Sequence, residues 1–206
     1  MAKDIFLFLS KGGIMMIPLL LTSVLAFAII LERAFQLRRK KVLSPNLLRM
    51  IDSIRESKDL DVAKTVCNQT NSSFTNIMKI CLDNHGLEKD ELKEMMEDQG
   101  RQEVRILERG LGALETIASA APLMGLLGTV IGMIEVFDVI SQVGVGQASA
   151  LSGGISEALI TTVVGLSIGI PTLILYNYFI HTAENLVLDI EKYSTILIQK
   201  LKQIQL

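Results

Sequence analysis

The chain has few of the residues that bind metals or form disulfide bonds. It has 206 residues, no tryptophan and two cysteines, Cys67 and Cys81, which with His85 do not make a convincing metal site. The segment between Gly110 and Glu191 contains no lysine or arginine, and the net charge of −2 gives no basic footprint for nucleic acid. We find no Gly-x-Ser-x-Gly, no His-Glu-x-x-His and no paired aspartates within the apolar segments. We therefore expect neither an enzyme nor a cofactor.

The chain is rich in hydrophobic residues. Half of the residues are hydrophobic and the mean hydropathy is +0.43, which is typical of a membrane protein. Three apolar segments, residues 14–31, 113–137 and 155–180, are predicted to cross about 30 Å of hydrocarbon. A charged block, Glu32-Arg33 and then Arg38–Lys41, follows the first segment, which favours a retained span over a cleaved signal peptide.

The basic residues predict the orientation of these spans. Of the 20 lysines and arginines, 15 lie between Glu32 and Arg109, whereas residues 138–154 have none. Because positively charged loops tend to stay in the cytoplasm, residues 32–112 and 181–206 are predicted to be cytoplasmic. Residues 1–13 are then an external N-terminal segment, and residues 138–154 form an external loop.

The helical patterns predict an all-α fold. From Glu88 a charged helical pattern runs without proline into the second span, and the third span continues as helix to the C-terminus. At about 1.5 Å per residue, Glu88 to Phe137 would be roughly 75 Å long, far more than a bilayer. Gly100, Gly110 and Gly112 are the weak points of this helix. We predict an all-α membrane protein with three transmembrane helices, long cytoplasmic helical extensions and a small cytoplasmic helical module.

The small module lies between the first span and Glu88. Ser44-Pro45 is typical of an N-cap followed by proline at the first helical position. A further helix is predicted to start near Ser72-Ser73 and to end at His85-Gly86, where glycine is the usual stop. Its apolar residues fall on one face: Phe74, Ile77, Met78 and Cys81. The module has no catalytic constellation.

Small and polar residues form one stripe on each of the last two spans. These stripes contain Pro122, Gly125, Thr129 and Gly132 on the second span and Ala158, Thr162, Gly165, Gly169 and Thr172 on the third. Glycines four apart permit close helix approach. We assign to helix packing Pro122, Gly125, Gly128, Gly132, Gly165, Gly169 and Pro171. For the threonines two interpretations stay open: hydroxyls bonded to their own helix, or hydroxyls that line a polar path inside a bundle.

Glu157 is the carboxylate at the start of the third span. A carboxyl group in hydrocarbon is costly and is usually turned toward protein or water. It is either a solvated residue in a favourable first helical turn or an acid on an ion path. Thr162 is five positions away and is not stacked on it, whereas Thr161 lies closer to its face.

Two segments resemble the signatures of the MotA/TolQ/ExbB proton channel family. Leu114–Ile134 is similar to the second-span signature of that family. Glu157–Thr162, followed by Gly165-Leu166, Ile170-Pro171 and Tyr176-Asn177, is similar to its third-span signature. The likeness is closer to ExbB and TolQ than to MotA, which has four spans. Glu115 is a departure, since the family usually has an uncharged residue there.

The resemblance implies a proton channel subunit of an inner-membrane complex that uses the proton motive force to drive work at the cell envelope. By position, Thr129 and Thr162 match the threonines that line the pore in ExbB and TolQ, and Glu157 matches the acidic residue at the start of the third span. The N-terminus would be periplasmic and the C-terminus cytoplasmic. The alternative is a membrane scaffold that holds a partner and has no ion path of its own.

The resemblance also implies partners. Members of the family are pentamers around a dimer of an ExbD/TolR-like protein, which has a single span with an essential membrane aspartate. A TonB- or TolA-like protein is a further candidate partner.

Overall fold

A computed structural model describes residues 12–54, 57–70, 72–144 and 148–204, and in these ranges the regular structure is helical. Most of the predicted external segment, residues 1–13, therefore lies outside the described residues. The helices are α1 (Met16–Gln36), α2 (Arg39–Val42), α3 (Pro45–Ser53), α4 (Ser57–Gln69), α5 (Ser73–Asp83), α6 (Lys89–Leu107), α7 (Leu111–Val143) and α8 (Ala148–Ile204).

Three helical stretches are long and apolar enough to cross a membrane. They lie within Met16–Gln36, Lys89–Gln142 and Ser152–Ile204. Their outward side chains are large and apolar; Val24 in α1, Leu123 in α7 and Ile174 in α8 are all more than 60% exposed. Such a surface is stable against lipid tails and not against water. The predicted all-α membrane fold with three apolar helices is confirmed.

The chain divides into two compact units. The first contains the described residues of Met1–Leu31 and Gly110–Tyr178, and we call it the apolar unit. The second contains those of Glu32–Arg109 and Phe179–Leu206, and we call it the charged unit. Helix α8 runs without interruption through the residues of both, as the sequence predicts for the third span and its extension.

The helix predicted from Glu88 to Phe137 is interrupted at one of its predicted weak points. Helix α6 ends at Leu107 and α7 begins at Leu111, and between them Gly110 has a φ of 79°. Only glycine adopts this left-handed conformation without a steric penalty, so the break falls at one of the three glycines that the sequence singles out. Gly100 and Gly112 lie inside helices.

The stretch 138–154 is more helical than the prediction of a loop implies. Helix α7 continues to Val143 and ends at Gly144, which has a φ of 76°. Helix α8 begins at Ala148, and residues 145–147 are outside the described ranges. The reason is that the apolar pattern of the second span continues through Val139 and Ile140 before the first glycine.

The module has the start signals that the sequence predicts. Ser72 is the N-cap of α5, and its hydroxyl oxygen accepts the Thr75 N–H at 3.2 Å. Ser44 precedes α3, with Pro45 in its first turn, although the Ser44 side chain makes no capping hydrogen bond. The apolar face of α5 is buried as expected: Phe74, Ile77, Met78 and Cys81.

The predicted stop of α5 at His85-Gly86 is wrong. The helix ends at Asp83 with Asn84 as its C-cap, at a φ of −107°. The Asn84 N–H still bonds to the Ile80 carbonyl, and its side-chain amide donates to that same oxygen at 2.9 Å. Asparagine therefore ends the helix here, and no left-handed glycine is used.

The C-terminal part of α8 packs within the charged unit. The Lys200 ammonium group donates to the carbonyls of Ile51 and Asp52 at the end of α3, at 2.8 and 2.7 Å. The Tyr193 ring meets the buried Phe74 ring edge to face at 6.2 Å between centroids. Cations at a helix C-terminus are favourable because the last carbonyls are unpaired and partly negative.

Candidate functional site

Helices α7 and α8 approach so closely that their glycines have no room for a side chain. A Cβ atom added at Gly165 would lie 2.6 Å from the Ala121 carbonyl oxygen and 2.9 Å from Gly125 Cα. One added at Gly125 would lie 2.9 Å from the Thr161 carbonyl oxygen. Because these neighbours are backbone atoms, they cannot rotate away.

The same contact continues in both directions along the helix pair. At one end, a Cβ at Gly132 would lie 3.0 Å from Ala158 Cβ, and the space beside Gly128 is filled by the Thr161 side chain. At the other end, a Cβ at Gly169 would lie 2.5 Å from Pro122 Cγ. Pro171, which the sequence also assigns to packing, is exposed on α8.

Thr162 joins the two helices. Its hydroxyl donates to the Gly125 carbonyl oxygen at 3.1 Å, across the contact between α8 and α7. In a regular helix the same carbonyl also accepts the N–H four residues later, which belongs to Thr129. Thr129 is half-buried, and its own hydroxyl donates to the Leu126 carbonyl at 2.6 Å. The Thr162 hydroxyl therefore bonds to α7 one turn before Thr129, and the two hydroxyls have different acceptors.

Two other threonines of α8, Thr161 and Thr172, bond to their own helix. Thr161 is 1% exposed and donates to the Ala158 carbonyl at 2.8 Å. Thr172 is 3% exposed and donates to the Ile168 carbonyl at 2.7 Å. Each of these hydroxyls has its acceptor in its own helix. The two residues therefore differ from Thr162, whose hydroxyl bonds across the contact.

Glu157 lies on a different face of α8 from Thr162. Its carboxyl group fills the space where a side chain at Gly13 would stand, just before α1. Farther along this face, Val164 and Ile168 pack against a buried cluster that includes Met16. The sequence separates Glu157 from Thr162 correctly by spacing, but it misses Gly13. The available signal was the Gly12-Gly13 pair immediately before the first span.

The charged unit contains buried polar groups that the sequence does not single out. Arg33 is 2% exposed, and its guanidinium donates to the carbonyls of Ile106 and Leu107 at 3.2 and 3.3 Å. Glu103 is 3% exposed and accepts from Asn76 at 2.9 Å. Arg33 therefore adds a charged donor to two carbonyls in the last turn of α6, of which that of Ile106 also accepts the Arg109 N–H.

The cysteines have no reactive environment. Cys67 and Cys81 are both buried with free thiols, and burial raises their pKa values from 9.0 to about 11 and about 12. Within the described ranges, no group of three or more His, Cys, Asp or Glu side chains is placed to hold a metal ion.

Comparison with known proteins shows which family the sequence of this chain resembles. The sequence model of the MotA/TolQ/ExbB proton channel family matches residues 67–192. An ExbB-like biopolymer transport protein of Synechocystis sp. is 33% identical, over 82% of this chain and 81% of the relative. Biopolymer transport proteins ExbB of Salmonella typhimurium and Pseudomonas putida are 31% and 30% identical. These alignments cover 80% and 81% of this chain, and 70% and 52% of the relatives.

Proposed function

This chain belongs to the MotA/TolQ/ExbB proton channel family, and we propose that it is the channel subunit of an energy-transducing complex in the bacterial inner membrane. In this role it passes protons down their gradient and does no catalysis of its own. The energy released is used for mechanical work at the cell envelope.

One observation carries the proposal: within long apolar helices, the Thr162 hydroxyl donates across the helix pair to the Gly125 carbonyl, and one turn farther along α7 the half-buried Thr129 donates to the Leu126 carbonyl. Polar groups at membrane depth are expensive unless they face protein or an aqueous path. Thr129 keeps part of its surface exposed in a single chain, and that surface is available to line a space enclosed by further copies. The two hydroxyls and the carbonyl would then hydrate a proton path.

The proposed assembly follows the family resemblance. We propose a homopentamer with α7 and α8 around a central space and a dimer of an ExbD/TolR-like single-span protein inside it. The membrane aspartate of that partner would receive the protons, and a TonB- or TolA-like protein would take up the motion. Residues 1–13 and 138–154 would be periplasmic, and residues 32–112 and 181–206 cytoplasmic. Glu157 would then lie at the external mouth of the path, where its charge gathers cations.

The scaffold alternative also has a specific observation in its favour. The backbone contacts at Gly125 and Gly165 show that α7 and α8 are packed too closely to leave a channel within one chain. In that case Thr162 would only fasten the two helices, and ions would cross elsewhere or not at all.

The test replaces hydroxyls by methyl groups of similar size. Thr129→Val and Thr162→Val, alone and together, are reconstituted in vesicles with the single-span partner, and proton flux is measured. We expect normal assembly and a large loss of flux. Thr172→Val is the matched control, because it removes a buried hydroxyl that bonds to its own helix, as that of Thr129 does, but that is not assigned to the proton path. Normal flux in the double valine variant would favour the scaffold.

A further inference from the structure

One face of α8 in the apolar unit is directed at the beginning of α1. Ile160 lies beside Gly12, since a Cβ added there would be 3.2 Å from the Ile160 Cγ2. Val164 and Ile168, one and two turns farther along, pack against a cluster that contains Met16 and Leu19 of α1. Glu157 is three residues before Ile160 and so belongs to this face.

The Glu157 carboxyl ends at Gly13. An ideal Cβ at Gly13 would overlap with Glu157 Oε1 and would lie 2.6 Å from Glu157 Cδ. Gly13 also has a φ of 62°, in the left-handed region that residues with a side chain rarely adopt. Two independent features therefore require glycine: the backbone conformation and the space that the carboxyl group occupies.

The position of this contact favours a carboxylate. The Gly13 carbonyl accepts the Met16 N–H at 3.2 Å, so Gly13 is the residue on which the first turn of α1 closes. The start of this 21-residue helix carries a partial positive charge from the aligned peptide dipoles. The helix dipole favours a carboxylate at this position, and Gly13 leaves the space for it.

We propose that Gly13 is a positioning residue for Glu157, and that the turn before α1 forms a seat that holds the carboxyl group in place at the end of the apolar unit. The start of the first helix then becomes part of the mouth of the proton path, instead of serving only as a lipid-facing support. This role in transport rests on the proposed function, whereas the seat itself does not.

The seat is tested by a double-mutant cycle in which transport is not measured. Gly13→Ala introduces a methyl group where the carboxyl lies, and Glu157→Ala removes that carboxyl. We expect Gly13→Ala to lower the thermal midpoint of the purified protein much more in the Glu157 background than in the Glu157→Ala background. Gly13→Asn tolerates the positive φ better and carries the same Cβ, so it should show the same coupling if Gly13→Ala does not fold.

Gly12→Ala is the matched control for this cycle. Its Cβ would meet mainly the Met16 side chain, at 2.6 Å from both Cγ and Sδ, and that flexible chain can move. Gly12 is also not among the glycines with positive φ. We expect the Gly12→Ala effect to add to that of Glu157→Ala without coupling. If the effects of Gly13→Ala and Glu157→Ala on the thermal midpoint are additive, the proposed seat is wrong, whether or not the protein conducts protons.

The positioning role is tested by flux in vesicles with the partner, at equal amounts of assembled complex. We expect Gly13→Ala to reduce flux several-fold in the wild-type background and to cause no further loss in a Glu157→Gln background. If Gly13→Ala reduces flux equally in both backgrounds, it acts by disturbing the structure in general and not through Glu157. The positioning role would then be wrong. If the effects of the two substitutions on stability are coupled but Gly13→Ala leaves flux unchanged, the seat is supported and its role in transport is wrong. Failure of the threonine variants to alter flux would instead count against the proposed function.

Discussion

Gly165→Ala should destabilise the contact between α7 and α8. The new methyl group would collide with backbone atoms, which cannot move aside as a side chain can. Its carbon would lie 2.6 Å from the Ala121 carbonyl oxygen and 2.9 Å from Gly125 Cα. Ordinary carbon contacts begin at about 3.5 Å, so the helices must separate by roughly half an ångström or more. Overpacking of this kind costs about 1–3 kcal/mol.

The same separation also strains the hydrogen bond between the helices. The distance from the Thr162 hydroxyl to the Gly125 carbonyl is already 3.1 Å, and a comparable increase would bring it beyond hydrogen-bonding range. Such bonds contribute about 0.6 kcal/mol on average in membrane proteins. We therefore expect Gly165→Ala to lower the free energy of unfolding by roughly 2–4 kcal/mol.

Reversible unfolding in mixed detergent micelles, followed by circular dichroism, measures this difference. Gly153→Ala in the same helix is the matched control, because a Cβ there has no neighbour within 4 Å. Alanine at Gly153 should be neutral or stabilise by up to about 1 kcal/mol through helix propensity. Equal stabilities of the two alanine variants would refute the reasoning.

Two further predictions concern the charged unit. Arg33→Met should lower the free energy of unfolding by about 1–3 kcal/mol, because two carbonyls at the end of α6 lose a charged donor. Arg39→Met should cost less than about 1 kcal/mol in the same denaturant titration, since its ion pair lies on the surface. Because the pKa values of Cys67 and Cys81 rise from 9.0 to about 11 and 12 on folding, the unfolded thiols ionise first. Stability should therefore fall as pH rises above 9, and a double alanine variant should show a smaller fall.

Local sequence patterns predict several features of this fold. Apolar run length predicts the three spans, and the N-cap at Ser72 and the packing face of α5 follow from residues that are close in the chain. The spacing of small residues indicates which faces of α7 and α8 can approach each other, because helical periodicity places them on one stripe. The stop of α5 was not predictable in this way, since Asn84 and Gly86 are both acceptable helix ends.

Packing between distant segments selects which of several locally equivalent groups makes a contact. Gly110, and not Gly100 or Gly112, adopts the left-handed conformation, and its open side faces Ile29 of α1. Thr162 and Thr161 are neighbours of the same type, yet only Thr162 bonds across to Gly125. The contact between Glu157 and Gly13 joins residues that are far apart in the sequence. Periodicity describes one helix at a time, whereas these choices depend on the close packing of helices that are distant in the chain.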